Sequence, residues 1–187
     1  MTIYRCVATG WQTGMLEAVL NADTTAKIQK EAGGVTGAFN KKSITNWLEK
    51  HNSEARLYSE AVENFLVSCA SYCVATYVIG IGDRHNDVSE TRLMTLVANN
   101  LTQNIMVCKS GQLFHIDFAH FLGNIMKFGV YKREKAPFVL TPDFVYVLGG
   151  EKSSNYARFI KMCQDAYCIL RKHANTFINL FVMVSST

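Results

Sequence analysis

At 187 residues the chain has the length of one ordinary domain, and its 49% hydrophobic content can fill a core of that size. A charged fraction of 18% excludes a highly charged disordered segment, while a formal net charge of +4 is compatible with anionic substrates or a membrane surface and favours neither. No unbroken apolar run reaches the ~18 residues of a spanning helix and the first residues carry no signal-peptide pattern, so a cytosolic setting is expected. The six cysteines (Cys6, Cys69, Cys73, Cys108, Cys163, Cys168) form no C-x-x-C pair and no His/Cys cluster. Cys69 and Cys73, four apart in an apolar segment, read as buried thiols rather than metal or redox ligands.

With two prolines, no repeat and no low-complexity tract, the chain shows no linker. Residues 3–7 and 15–20 read as short extended pieces around the turn "TGWQTG". Residues 24–31 and 43–51 read as short helices, the first capped by Asp23 or Thr24 and the second by Ser43. From 58 to 79 the apolar residues fall on one broad helical face, and Gly80 suits the end of that helix. "NIMVCKSGQLFHID" reads as a hairpin around Lys109-Ser110-Gly111. A long loop is expected up to Pro137, then helix over 141–148 and a single long helix over 155–184. The class is α+β, mainly helical with a short β-hairpin, like the larger lobe of a kinase.

The hairpin and the helix end are where chemistry concentrates. "GIGDRHND" carries Asp83, Arg84 and His85 directly after the long helix. A histidine titrates near neutrality and can take or relay the proton of an alcohol, and a carboxylate can orient it. Taken alone, Asp and His at a helix end are an ordinary solvated loop. A hairpin can deliver two metal ligands side by side, one from the start of its first strand and one from the end of its second, and Asn104 and Asp117 hold those positions. Singly they resemble the turn and cap residues that flank many strands. With "DRHN" upstream and "DF" downstream they read as a pair. Ligands for a metal on the phosphates, a group for the acceptor hydroxyl and a cation against developing charge are what phosphoryl transfer from ATP needs. Of the histidines flanking Asp117, His115 alternates within a strand and reads as structural, whereas His120 stands where it can meet phosphate.

"SCASYCVATYVIGIGDRHND", "NIMVCKSGQLFHIDFAHFLGN" and "KREKAPFVLTPDFVYV" together resemble the catalytic C-terminal lobe of the phosphoinositide 3-kinases, over nearly the whole chain. "GMLEAVLNADTTAKIQKEAGGVTGAF", "LGGEKSS" and "AYCILRKHANTFINLF" resemble the class II enzymes most. The resemblance implies ATP and Mg2+ as cofactors. It also implies phosphoinositide lipids at a membrane surface, no nucleic acid, and peripheral association with plasma or endosomal membranes through domains outside this sequence. "GMLEAVL" matches the hinge behind adenine, so Glu17 and Val19 would offer backbone carbonyl and amide to the base, with Met106 and Ile116 packing beneath it. Asp83 and His85 match the catalytic-loop residues, with Arg84 structural or phosphate-facing, and Asn104 and Asp117 match the magnesium ligands. Residues 117–137 match the loop that receives the inositol headgroup, and Lys127, Lys132, Arg133 and Lys135 become its phosphate cradle. Without that context they would read as a solvated face.

Three departures accompany the resemblance. The chain begins near the hinge, so the smaller lobe with its phosphate-covering loop and lysine is expected outside it, and these 187 residues alone are expected to be inactive. The family's "DFG" is "DFA" here; Ala119 loses the ready access to positive φ that glycine has, without displacing Asp117. Lastly, the family runs "DRHND" directly into "NIM", and removing residues 88–103 restores that join. Two other functions stay open: a catalytically dead lipid- or partner-binding member, and a protein-serine kinase of the related type. The basic "KREK" disfavours the latter.

The insert contains "LMTLVANNL" and no glycine or proline, an unusual composition for a surface loop. A longer loop costs little in closure entropy, about 0.6 kcal/mol per doubling. Catalytic geometry is far less forgiving, since a shift of about 1 Å can cost on the order of 100-fold in rate. Val88-Ser89 can be encoded by GTAAGT or GTGAGT, a splice donor, and Gln103 by CAG, a splice-acceptor ending. The sixteen codons are in frame and free of stops. Residues 88–103 are therefore a short retained intron or a lineage-specific loop. If the former, sequenced transcripts should join the Asp87 codon to the Asn104 codon; transcripts that mostly keep the intervening 16 codons would establish the loop.

Overall fold

The computed structural model describes residues 2–34, 37, 40–81, 104–116, 118, 127–128, 131–132, 138 and 140–185. In chain order the elements are β1 (Cys6–Gly10), β2 (Thr13–Leu16), β3 (Ala22–Thr24), α1 (Thr25–Gly33), α2 (Ser43–His51) and α3 (Ala55–Ile79). They are followed by β4 (Ile105–Cys108), β5 (Leu113–His115), β6 (Lys127–Phe128), β7 (Tyr131–Lys132), α4 (Pro142–Val147), α5 (Ser154–Lys172) and α6 (Ala174–Ser185). Helix dominates the described residues. The strands form an antiparallel β1–β2 hairpin, a three-stranded sheet ordered β3-β4-β5, and a β6–β7 ribbon.

The differences from the sequence expectation have local causes. The first hairpin is tighter than predicted, its first strand beginning later, at Cys6, and its second earlier, at Thr13, with Cys6 opposite Leu16 and Gly10 opposite Thr13. Strand β3 was not foreseen. Three residues are too few to show alternation, and only pairing with a distant partner, Ala22 opposite Cys108, defines it. Helix α1 is capped by Thr24, whose hydroxyl accepts from the Lys27 amide at 3.2 Å. Helix α2 covers the predicted span, but Ser43 does not cap it. Its hydroxyl turns back to donate to the Asn40 and Gly37 carbonyls at 2.8 and 3.2 Å, and Lys42 holds the cap position without a side-chain bond. Gly80 ends α3 in the left-handed conformation, φ 61° and ψ 45°. The single helix expected over 155–184 is two, α5 and α6. At His173 (φ −107°, ψ 19°) the amide closes onto the Ile169 and Leu170 carbonyls, and the amides of Thr176 and Phe177 turn to the His173 carbonyl. No proline or glycine marks that break. The stretch expected to be one long loop contains β6 and β7.

Helix α3 is long and apolar enough to cross a membrane by length and averaged composition, although it holds no unbroken apolar run of that length. In this fold 44% of that apolar window is buried, and Phe65, Leu66 and Cys69 are among its core residues. Phe65 meets Phe144 of α4 edge to face, with ring centroids 5.5 Å apart. On another flank α3 packs along α5, where Arg158 donates two hydrogen bonds to Glu63, at 2.9 and 2.6 Å, and holds that carboxyl below its usual range. The six cysteines are free thiols; Cys69 is fully buried, as expected, and burial pushes its thiol up, whereas Cys73, also expected to be buried, is half-buried. Asp143 in α4 is buried and accepts from Gln29 of α1 at 2.8 Å and from the Thr141 hydroxyl. Burial pushes its carboxyl up and those donors offset part of the rise.

The β4–β5 hairpin is fastened along α3 by residues at helical spacing. Gly111 in its turn has φ 96°, and a Cβ there would lie 2.0 Å from the Ala61 carbonyl oxygen, so both conformation and space demand glycine. Asn64 donates from Nδ2 to the Ser110 carbonyl at 2.9 Å. The Ser68 hydroxyl accepts from the buried Leu113 amide at 2.8 Å and donates to the Asn64 carbonyl at 2.6 Å. The Tyr72 ring then stacks on His115, 4.9 Å between centroids and 4° between planes. Two substitutions test this seam. Ser68→Ala orphans the Leu113 amide and should cost about 1–3 kcal/mol. Gly111→Ala combines backbone strain with a clash against backbone and should cost about 3 kcal/mol or more. Urea unfolding measures both, and parent-like stability of Gly111→Ala would rule the close approach out.

Candidate active site

The hairpin ladder continues one rung beyond its strands. The Ile116 amide donates to the Asn104 carbonyl at 3.0 Å, following the pairs Ile105–His115 and Met106–Phe114. Asn104 is thus set opposite Ile116, one residue short of Asp117. Side chains alternate across a strand, so Asn104, Met106, Phe114 and Ile116 share one face of the sheet, while Ile105, Val107, Leu113 and His115 take the other. The second set is buried. On the first face Phe114 is buried, whereas Asn104, Met106 and Ile116 are half-buried. One half-open face therefore carries a predicted metal ligand beside the two side chains predicted to lie beneath adenine.

The predicted hinge runs from the β1–β2 hairpin to strand β3 of that sheet. The Glu17 amide donates to the Arg5 carbonyl at 2.8 Å, and its carboxylate accepts from the Arg5 amide at 2.9 Å, prolonging the β1–β2 pairing. Val19 is half-buried against the core, as are Met106 and Ile116. At Asn21 the backbone turns at φ 57°, and its carbonyl accepts from the Lys109 amide at 2.8 Å. From there β3 pairs with β4, placing Thr24 opposite Met106, and the Thr25 hydroxyl donates to the Ile105 carbonyl at 3.4 Å. Sequence reasoning missed Tyr4. Its hydroxyl donates to the His115 carbonyl at 3.1 Å and its ring meets Phe114 at 6.2 Å, edge on. It also missed the role of Tyr72, read only as part of a helix face, whose hydroxyl donates to the Thr2 carbonyl at 3.0 Å. Neither contact leaves a local sequence signal.

The remaining predicted residues meet the structure unequally. Asp83, Arg84, His85, Asp117, Arg133 and Lys135 lie outside the described residues, as do Ala119, His120 and residues 88–103. The described chain reaches Ile81, which is buried and whose amide donates to the Thr76 carbonyl at 3.0 Å, so α3 hands the chain to Asp83 from a fixed point. Lys127 and Lys132 are backbone partners across β6 and β7.

The family model described as phosphatidylinositol 3- and 4-kinase matches residues 1–88 and 101–187. The chain belongs to that family. Among curated relatives, the phosphatidylinositol 3-kinase 3 of Dictyostelium discoideum is 54% identical over 187 residues, covering 100% of this chain and 10% of that protein. The Dictyostelium phosphatidylinositol 3-kinase 1 is 52% identical over 98% of the chain and 11% of its own length. The human phosphatidylinositol 4-phosphate 3-kinase C2 domain-containing subunit beta is 47% identical over 188 residues, 100% of this chain and 10% of its own length. Resemblance to the phosphoinositide 3-kinases, class II proteins included, is thus found over the whole chain. The phosphatidylinositol 3- and 4-kinase family member described here spans about a tenth of the length of these relatives.

Proposed function

We propose that this chain is part of a phosphatidylinositol 3-kinase that moves the γ-phosphoryl of ATP to the 3-hydroxyl of phosphatidylinositol or its phosphates, at plasma or endosomal membranes reached through other domains. The observation that carries the reading is the rung between Ile116 and Asn104, which sets Asn104 beside the strand end leading to Asp117, on a face shared with Met106 and Ile116. In this reading the backbone at Glu17 and Val19 binds the adenine edge, and Met106 and Ile116 lie under the ring. Half-burial suits both, since the base needs an apolar floor that stays open. The amide oxygen of Asn104 and the carboxylate of Asp117 are hard oxygen donors that fit a magnesium ion, which when bound neutralises charge on the phosphates. Asp83 orients the lipid hydroxyl and His85 takes its proton. The bond from the β–γ bridging oxygen to γ-phosphorus breaks as the inositol oxygen bonds to it. Lys127, Lys132, Arg133 and Lys135 receive the headgroup phosphates.

A second reading, a catalytically dead member that binds lipid or a partner, is favoured by one observation: the family match passes over residues 89–100, inside the predicted insert. An assay of the full-length protein separates the two. With magnesium ATP and phosphatidylinositol vesicles, the active reading expects 3-phosphorylated lipid. Asp117→Ala and Asn104→Ala should each lower kcat by on the order of 100-fold. Lys132→Ala/Arg133→Ala should raise the lipid KM and leave the ATP KM within about twofold. No product above the Asp117→Ala background would leave the dead reading standing. A double variant that raised the ATP KM with unchanged lipid kinetics would remove the headgroup role.

A further inference from the structure

Two of the free thiols belong to different helices and meet where those helices touch. Cys73 lies on α3 and Cys163 on α5, and the two helices pack along each other. The Cys163 thiol reaches α3 at the Ala70 carbonyl, its Sγ 3.8 Å from that oxygen and within one helical turn of Cys73. It is also a hydrogen-bond partner of the Cys73 sulfur. Both side chains pack against the core and stay half-buried, so a small molecule can approach them. Cys69, the sequence neighbour of Cys73 on α3, is fully buried.

The three thiols are not equivalent chemically. The thiolate is the nucleophile of sulfur chemistry, and a thiolate held against a second thiol is the arrangement from which a disulfide closes. The hydrogen bond from Cys163 holds the Cys73 thiol below its usual range against the opposing effect of burial, and the same bond pushes Cys163 up. Cys73 is therefore the attacking sulfur and Cys163 the resolving one. Cys69 makes a poor partner for Cys73, because Cβ atoms four residues apart on a helix stand about 5–6 Å from each other and a disulfide needs about 3.8 Å. Sequence spacing pairs Cys69 with Cys73, whereas the fold brings Cys163 to Cys73 from another helix. Nothing in the chemistry assigned so far uses these sulfurs.

We propose that Cys73 and Cys163 form a site of reversible oxidation by hydrogen peroxide, at which a disulfide closes and locks α5 onto α3. The Cys73 thiolate attacks one peroxide oxygen; the S–O bond forms as the O–O bond breaks, leaving a sulfenic acid and one water. The Cys163 sulfur then attacks the Cys73 sulfur; the S–S bond forms as the S–O bond breaks, and the hydroxyl leaves as a second water. Two thiols lose two electrons and two protons, one peroxide is reduced to two waters, and a dithiol reverses the change. The test is disulfide mapping of the full-length protein after treatment with hydrogen peroxide, alkylation and digestion without reduction. Chymotrypsin cleaves after Tyr72 and Tyr167, which separates Cys73 from Cys69 and Cys163 from Cys168. Peptides joined through Cys73 and Cys163 should dominate the links made by Cys73, and dithiothreitol should remove them. Oxidation in urea should lose most of that link, because the pairing depends on the fold. Cys163→Ser should abolish it and let Cys73 run on to sulfinic acid, whereas Cys69→Ala should keep it. Cys73 left as a free thiol or an unlinked sulfinic acid in the folded parent, a link from Cys73 to Cys69 in place of Cys163, or an equal yield in urea would each overturn the proposal. If the serine variant fails to fold, the mapping of the parent still decides.

Discussion

A backbone amide buried inside the domain must find an acceptor, and for Leu113 the acceptor is the hydroxyl of Ser68, one helix away. Much of the candidate site depends on that contact. It fixes how far the β4–β5 hairpin slides along α3, while the pairing of β4 with β5, Ile105 opposite His115, decides which residues take the buried face and which the half-open one. The neighbouring contacts repeat the constraint: no side chain is tolerated at Gly111, Asn64 holds Ser110, and Tyr72 lies flat on His115. One helix thus sets the hairpin's place and carries the described chain as far as Ile81; Asp83, His85 and Asp117 lie outside the described residues.

How much of this the sequence disclosed follows from the range of each interaction. The helical face of α3 and the hairpin around Gly111 were legible because their signals are local: apolar spacing in one case, a glycine turn between two alternating runs in the other. Asn104 was predicted as one of a pair with Asp117; its place opposite Ile116 follows from the hairpin, and Asp117 lies outside the described residues. Strand β3 was not legible, because its partner is more than 80 residues away and three residues carry no period. The break at His173 has no composition to betray it. Ser43 looked like a helix cap and serves the preceding turn instead, since Asn40 and Gly37 offer carbonyls within its reach. Tyr4 and Tyr72 act through hydroxyls on distant carbonyls, and such contacts exist only once the fold has formed.

Membership of the phosphatidylinositol 3- and 4-kinase family sharpens the question raised by residues 88–103. The family match stops at 88 and resumes at 101. The bonds that fix β4 and β5 run to α3, to β3 and to the N-terminal segment, so Asn104 takes its place from the seam and the sheet rather than from the length of chain before it. Closing a longer loop is cheap, whereas positioning reacting groups is not. Extra residues before Asn104 are therefore expected to leave the hairpin in place.

One comparison reaches the centre of this account: lipid phosphorylation by the full-length protein with Asp87 joined directly to Asn104, measured against the same protein carrying residues 88–103. The account predicts that the joined form phosphorylates phosphatidylinositol vesicles and that the form with the extra residues loses most of that rate, about tenfold or more, while both unfold at the same urea concentration because the seam is untouched. Equal rates from the two forms would contradict it, and would make residues 88–103 a genuine part of a working enzyme.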